Sequence, residues 1–480
     1  MKQTPPDKFL DRIFPDEIFP VSINAIYKEL LIEDSQKGDK VASKGQAGDA
    51  KGDRGNAGKK ADQRKGGNEN LEAVGGSGSN PKGKEKEIST QSESIGDEPK
   101  ATAVGPKIKS INYKITGQIK RNSPSPWLYE PFGVAAKTRS TKKTTNEDLL
   151  SAFINRIAKA VEEVFTNMKI KSTVKKRTSS SIFASTPLKT DANIVRKPDV
   201  VGLRPAVLKF ALQNSPPALD WRYVYWVMEH KLTEYIGADF KVIAVEVLNK
   251  AFAILISSDD RRFAIVPSIT GSIVRVSYFD HGGAIHSTEF NMNQEPKLFL
   301  HLIVGLMFAP ETYLGIDPTL TYLNPQTRIL MLRGEKYSVK KTIYRAPMLN
   351  GRATKILQCT YKGRVVVVKD AWIYTHRSLT EVYFLLEARA AGVRGIPRIL
   401  TWEDVMVDGR YDSTDNNRGR FTGLPDRTHR RIVFEGECVP LEQFKDFFEL
   451  LSIWINIVEC KSPDLFLRLD LPVDLKAILT

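Results

Sequence analysis

The feature that most constrains this chain is a long stretch, residues 36–104, that contains no aromatic side chain. Glycine, lysine, aspartate, serine and asparagine dominate it. Such a segment cannot bury enough apolar surface to offset the entropy that it would lose on ordering. Its glycines do not follow a strict triplet, which excludes collagen. We therefore expect a disordered basic insertion over residues 36–105. The folded core must then come from an ordered N-terminal segment, residues 1–35, and from the chain after residue 105.

The composition beyond this insertion is that of a globular protein. The 480 residues carry a formal net charge of +15, and 41% of them are hydrophobic. A basic excess suits anionic partners, so nucleic acid joins an unidentified protein substrate or partner as an expectation. The three cysteines match neither a zinc knuckle nor a disulfide framework. The sequence shows no signal peptide and no apolar run long enough for a bilayer, so we expect an intracellular protein, cytoplasmic or nuclear, without membrane contact.

Residues 106–330 alternate helix and strand patterns, which predicts a mixed-sheet α+β domain. Helices are expected at 146–165, 234–256 and 296–308. In the second of these, a row of apolar residues recurs with a helical period: Val242, Val245, Leu248, Phe252 and Leu255. Strands are expected at 199–203 and 221–231, and a hairpin at 262–279 turns at Gly271.

Three residues of this domain resemble the core of a PD-(D/E)xK nuclease. Asp199 follows a proline at the start of one predicted strand, and Glu229 and Lys231 lie near the end of the next. In such a restriction-endonuclease-like fold, Asp199 and Glu229 would hold Mg²⁺ while Lys231 would steady the attacking water. The alternative is a structural ion pair between neighbouring strands.

Residues 331–459 follow the order of a protein kinase small lobe: strand, glycine turn, two strands, helix, two strands and a final helix at 441–458. The third strand, 364–370, is a run of valines that ends in Lys369. A lysine in this position is costly to bury unless it is paired. The helix at 378–391, with Ser378 as its expected N-cap, offers Glu381 as the partner and Glu387 as the alternative.

Seven blocks of the sequence resemble the fungal-type protein kinase family, in the order of that family. They read KPDVVGL (197–203), WRYVYWVMEHK (221–231), DRRFAIVPSITGSIVRVSYFDHGGAIHSTEF (260–290), LGIDPTL (314–320), NGRATKILQCTYKGRVVVVKDAW (350–372), LTEVYFLLEARAAGVRGIPRIL (379–400) and RRIVFEGECVPLEQFKDFFELL (430–451). The resemblance implies a serine/threonine protein kinase fold that uses ATP and Mg²⁺, preceded by a family-specific N-terminal region.

The resemblance also assigns individual positions. It implies that Lys369 binds phosphate, that Glu381 is its helix partner, and that the hinge lies at Phe434–Gly436, with backbone groups of Glu435 to Glu437 meeting adenine. The remaining matches belong to the glycine loop: Gly351, Arg352 and Thr354. Ala353 replaces a glycine of that loop, and His281 stands where the family usually has arginine.

The segment after Leu451 departs from the family. It contains no His-Arg-Asp motif and no Asp-Phe-Gly equivalent, and residues 460–480 form a divergent tail. A kinase needs these groups to orient the acceptor hydroxyl and to hold magnesium. The expected fold is therefore α+β: a mixed-sheet N-terminal domain followed by a kinase small lobe that is truncated before the large lobe. The expected function is that of a fungal-type serine/threonine kinase-like protein without phosphoryl transfer. The alternatives are a binding or regulatory protein that acts through residues 106–330 and, third, a Mg²⁺-dependent nuclease.

Overall fold

The computed structural model describes residues 2–30, 145–170, 176–185, 187–188, 196–213, 217–323, 327–393, 395–419, 423–436 and 443–460. The predicted insertion at 36–105 lies outside these ranges, and so do Glu437 and residues 461–480 of the predicted tail. Among the described residues, no helix combines the length and the apolar character that crossing a membrane requires.

Eight α-helices have both ends among the described residues. They are α1 (Pro6–Ile13), α2 (Asn146–Asn167), α3 (Pro205–Ala211), α4 (Lys241–Ser257), α5 (Pro296–Phe308), α6 (Glu381–Ala390), α7 (Thr414–Asn417) and α8 (Phe447–Cys460).

The first sheet has eight strands in the order β1-β7-β6-β5-β4-β3-β2, with β8 paired to β6. The strands are β1 (Lys2–Thr4), β2 (Thr178–Ser180), β3 (Val200–Leu203), β4 (Trp226–Lys231), β5 (Phe263–Thr270), β6 (Ile273–Asp280), β7 (Gly283–Ser287) and β8 (Phe290–Asn291). The pairs β4–β5 and β1–β7 are parallel, and the other pairs are antiparallel. The mixed sheet predicted for this region is therefore present.

Both faces of this sheet are covered by helices. One core contains α1, α2 and α5, and the other contains α3 and α4. The N-terminal segment belongs to the first core, because Phe9 and Phe14 have no exposed surface. The layers place the ends of β3 and β4 beside the inner face of α4.

The second sheet has seven antiparallel strands in the order β14-β17-β13-β12-β11-β10-β9. They are β9 (Leu320–Tyr322), β10 (Arg328–Leu332), β11 (Glu335–Arg345), β12 (Lys355–Tyr361), β13 (Arg364–Tyr374), β14 (Ile399–Asp404) and β17 (Arg427–Glu435), and a separate hairpin joins β15 (Met406–Val407) to β16 (Arg410–Tyr411). The two strands β9 and β10 extend this sheet to residue 320, before the predicted boundary at residue 331.

Most predicted elements are present, with shifted ends. The helix Asn146–Asn167 is confirmed and begins with a capping box formed by Thr145 and Asp148. The strand expected at 221–231 begins at Trp226, because a short 3₁₀ turn precedes it. The helix expected at 441–458 begins at Phe447.

Two predictions about helices are wrong. Thr380, not Ser378, caps α6, because its hydroxyl accepts a hydrogen bond from the backbone N–H of Tyr383. In α4 the predicted row is wrong in its first three residues, because Val242, Val245 and Leu248 are exposed, whereas Phe252 is half-buried and Leu255 is buried. The first turns of α4 therefore bury a different face. Its buried residues include Ile243, Val247, Lys250, Ala251 and Ile254. Apolar residues surround this helix on several sides, so periodicity alone does not select its inner face.

Candidate functional site

Lys369 and Glu381 form an ion pair between β13 and α6. The Nζ atom of Lys369 lies 2.6 and 2.7 Å from the two carboxylate oxygens of Glu381. Val368 precedes Lys369 and is fully buried on the opposite face, as the alternation of side chains along a strand requires. Only 20% of the Lys369 side chain is exposed, so solvent screens this pair less than a surface pair. The structure thus brings Lys369 to Glu381 rather than to Glu387.

The glycine loop, residues 346–354, connects β11 to β12 beside this pair. Nη2 of Arg352 lies 3.2 Å from Oε2 of Glu381, so the carboxylate has two cationic partners. Gly351 has φ +129°, in a region that favours glycine. The carbonyl of Thr354 accepts from the N–H of Ala346 at 2.9 Å and closes the base of the loop. Ala353 adopts φ +41° and is 5% exposed, so its Cβ is buried.

His281 fixes the glycine loop from the first sheet. Its carbonyl accepts from the N–H of Gly351 at 3.0 Å, and its Nδ1 lies 3.1 Å from the carbonyl oxygen of Leu349. Burial lowers the pKa of His281 to about 3. The ring is therefore neutral, and Nδ1 carries the proton because a carbonyl only accepts. The ring also packs against the side chain of Trp372, and the backbone N–H of Trp372 donates to the carbonyl of Arg352 at 2.8 Å. A residue that follows β6 of the first sheet thus holds the loop that contacts Glu381.

The predicted hinge is described only in part. Glu435 ends β17, and its side chain forms an exposed ion pair with Arg398 at 3.1 Å. The backbone N–H of Glu435 donates to the carbonyl of Arg398 at 2.9 Å. Gly436 follows with φ +76°. Because Glu437 lies outside the described residues, its role in the hinge stays a prediction.

A cavity of about 480 Å³ opens beside the Lys369–Glu381 pair. Its charged lining consists of one carboxylate, Glu381, and five cations, namely Arg352, Lys369, Arg377, Arg427 and Arg430. Its apolar lining includes Ala371, Ile373, Phe384, Leu385 and Ile432. Cations in excess next to an apolar wall suit an anionic group such as the phosphates of a nucleotide.

A buried ionic network lies directly behind Lys369, on the other face of the sheet. His429 contacts Asp370 through Nε2 at 2.9 Å and Asp412 through Nδ1 at 2.8 Å. Arg431 pairs with Asp370 at 2.9 Å and also with Asp317. Burial opposes charge on every member, but the opposite charges outweigh it. The pKa of His429 is therefore raised, and the pKa of Asp370 is held well below its usual range.

The three residues of the nuclease-like pattern also come together. Lys231 lies 2.8 Å from Oε1 of Glu229 and 2.8 Å from Glu246. Asp199 accepts from the backbone N–H of His230 at 2.8 Å and from Lys250 at 3.0 Å. Lys250 is also paired with Glu229, which has no exposed surface. Its ammonium thus bridges both carboxylates.

This arrangement does not fit a divalent cation. The position between Asp199 and Glu229, where a metal would bind, is taken by the ammonium of Lys250. Burial lowers the pKa of Lys250, and the charge of Asp199 opposes that shift. Within the ranges that the structure describes, no group of three or more His, Cys, Asp or Glu side chains is placed to hold a metal ion. We derive no metal-dependent step for this cluster, nor for the Lys369 site.

Sequence reasoning missed Lys250 and Arg427. Lys250 left a signal, because a lysine between Val247, Ala251 and Ile254 interrupts an otherwise apolar helix face. Arg427 gave no such signal, since it belongs to a polar stretch, residues 408–428, that is typical of an insertion between two strands. Its position depends on the pairing of β17 with β13, where Arg427 lies opposite Tyr374.

Residues 206–423 match the family model described as fungal protein kinase. No curated protein matches the chain. The matched range includes His281, the glycine loop, Lys369 and Glu381. The resemblance to that family is confirmed.

Proposed function

We propose that the chain, whose residues 206–423 match the family model described as fungal protein kinase, is a kinase-like protein whose small lobe binds the phosphates of ATP at Lys369. The observation that carries this proposal is the ion pair between Lys369 and Glu381. In protein kinases the lysine of the third strand contacts the α- and β-phosphates and is fixed by a helix carboxylate. The strand order β11-β12-β13-β17-β14, with α6 inserted after β13, supports the same assignment.

Chemistry at the cavity supports phosphate binding. Glu381 neutralises only part of the positive charge around it, since Lys369 and Arg352 share this one carboxylate. A triphosphate would supply the missing negative charge. The hydrogen bonds from His281 to Leu349 and Gly351 hold the glycine loop, and with it the backbone of Arg352, in place before any ligand binds. This preorganisation lowers the entropic cost of binding.

We propose further that the 480-residue polypeptide binds nucleotide without transferring phosphate. Its sequence contains no His-Arg-Asp motif and no Asp-Phe-Gly motif. Phosphoryl transfer depends on positioning the acceptor and on neutralising charge with magnesium, and those motifs supply both functions. Lys369 and Glu381 alone leave the acceptor unoriented.

The experiment is a calorimetric titration of the 480-residue protein with ATP. We expect saturable binding that Lys369→Met weakens by about tenfold or more, because a charge-assisted contact to phosphate is lost. Lys336→Met is the matched control, since Lys336 is an exposed lysine of the same sheet. If no variant and no wild-type sample binds ATP, the proposal fails and the non-catalytic binding role becomes the better account.

For the cluster around Asp199 we propose a structural role. Lys250 places its amine between the two carboxylates, where a nuclease would hold Mg²⁺, and Glu229 is fully buried. A buried carboxylate that already has a covalently tethered counter-ion gains little from a metal. The cluster therefore ties β3, β4 and α4 together.

A further inference from the structure

The positive charges around the cavity beside α6 are only partly compensated. Lys369 and Arg352 share Glu381, and Arg430 forms a two-point pair with Asp404 at 2.7 and 2.9 Å. The other two cations are Arg377 and Arg427. Among the described residues, neither has a carboxylate within ion-pair distance, although both line the same cavity.

Arg427 is the more informative of the two, because it is buried. Only 6% of its surface is exposed. Its guanidinium lies over the ring of Tyr374 at 4.1 Å, and Nη1 donates to the carbonyl of Trp372 at 3.4 Å. Its Nε atom is also buried and has no hydrogen-bond partner within the described part of the chain. A buried guanidinium without a counter-charge is costly, so the geometry favours an anion that completes it.

The amino end of α6 lines the cavity next to these arginines. Thr380 and Glu381 at the start of this ten-residue helix belong to the cavity wall. The first turn of a helix carries partial positive charge and unpaired N–H groups, both of which favour anions. Arg377 is exposed and precedes this turn. A flexible cation at the mouth and a fixed one inside thus flank one helix end.

We propose that Arg427, Arg377 and the first turn of α6 form a second anion site, which takes a phosphate or phosphate ester dianion and is separate from Lys369. The planar guanidinium matches two phosphate oxygens at once, which an ammonium does not. Lys369 already has its carboxylate at 2.6 Å, whereas Arg427 has none among the described residues. This second site is independent of the proposed function, because it can bind phosphate even if Lys369 does not bind ATP.

The test is a calorimetric titration of the full 480-residue protein with inorganic phosphate at fixed ionic strength. We compare wild type with Arg427→Gln, Arg377→Gln, Lys369→Met and Arg389→Gln. Arg389 is the matched control, because it is an exposed arginine at the opposite end of α6. A parallel titration with ATP distinguishes free phosphate from nucleotide phosphate as the source. Circular dichroism checks that each variant is folded.

We expect saturable phosphate binding that Arg427→Gln and Arg377→Gln each weaken by about tenfold or more. Arg389→Gln should leave it unchanged. If Arg427→Gln does not fold, the exposed Arg377→Gln variant decides the question. Phosphate affinity that is equal in all five proteins would overturn the proposal. So would a loss confined to Lys369→Met, since phosphate would then bind only at the ATP contact. Loss of ATP binding in Lys369→Met with phosphate binding retained would support both sites.

Discussion

Lys250 shows how one side chain decides between two roles for the same pattern. It is 5% exposed and lies among the apolar residues of α4, where it reaches Asp199 and Glu229. Without it, two carboxylates and Lys231 would leave room for a divalent cation. With it, the charges are balanced inside the chain. The pattern of Asp199, Glu229 and Lys231 was predicted from sequence as a group, but the residue that determines its chemistry was not.

Lys250→Met should destabilise the protein strongly. The substitution removes the ammonium that bridges Asp199 and Glu229 and leaves the fully buried Glu229 with Lys231 as its one remaining cationic partner among the described residues. Breaking a buried ion pair from one side typically costs about 3–5 kcal/mol. Chemical denaturation of wild type and variant measures this difference. Lys241→Met, at the exposed start of the same helix, should change the free energy of unfolding by less than about 0.5 kcal/mol.

A plasmid-nicking assay tests the alternative, that the cluster is a metal-dependent nuclease site. With Mg²⁺ or Mn²⁺, wild type and Asp199→Ala should behave alike. Cleavage that requires a divalent cation and disappears in Asp199→Ala would show that the cluster is a metal centre, and the structural role would then be wrong.

At the scale of elements, β13 carries two functions on its two faces. Lys369 faces the cavity, and its neighbour Asp370 faces the buried network of His429, Arg431 and Lys355. Strand β17 holds the matching partners because Lys369 pairs in register with Ile432 and Asp370 with Arg431. The position of Lys369 therefore depends on charges that lie on the far side of its own sheet.

His429→Gln should lose stability in a pH-dependent way. The folded-state pKa of His429 is raised above 6.5, so its contribution is fully present below pH 6.5 and is lost as pH rises through the higher folded value. Asp370 and Asp412 have lowered pKa values, so their contribution is present above pH 3.8 and is lost on acidification. Between these limits the network is fully charged.

We expect His429→Gln to cost about 3 kcal/mol near pH 6 and progressively less above that pH. Thermal unfolding of wild type and variant across this range measures the difference. His376→Gln is the control, because His376 is exposed on the segment after β13. A difference between wild type and His429→Gln that is constant with pH would contradict a protonated His429.

Sequence patterns predicted local elements well and tertiary choices poorly. The valine run predicted β13, and the order of strands and helix offered Glu381 as the partner of Lys369, with Glu387 as the alternative that the structure excludes. The inner face of α4 was mispredicted because Val242, Val245 and Leu248 are as apolar as its buried row. Thr380 and Ser378 are both good N-caps, and only the path of the chain selects between them. His281 appeared in the sequence as an unusual residue, but its contact with Leu349 joins positions far apart in the chain.

The whole molecule joins two sheets through polar contacts that are largely buried. Arg262, which directly precedes β5 of the first sheet, pairs with Asp412 at 2.9 Å. Asp317 pairs with Arg431 of β17. Arg328 and Arg345 of the second sheet both pair with Asp259 at the end of α4. The first sheet and its helices therefore support the part of the second sheet on which Lys369, Glu381 and the glycine loop are positioned.

The most direct test of the central claim identifies the lysine that lies at the phosphates of ATP. An acyl-phosphate derivative of ATP transfers its acyl group to a lysine amine beside the bound phosphates, and peptide mass spectrometry locates the modified residue. The account predicts that Lys369 is acylated, that unmodified ATP suppresses this acylation, and that Glu381→Gln reduces it by releasing the ammonium. Acylation spread over exposed lysines such as Lys336 and Lys340, unaffected by ATP, would contradict the assignment of Lys369 as the phosphate contact.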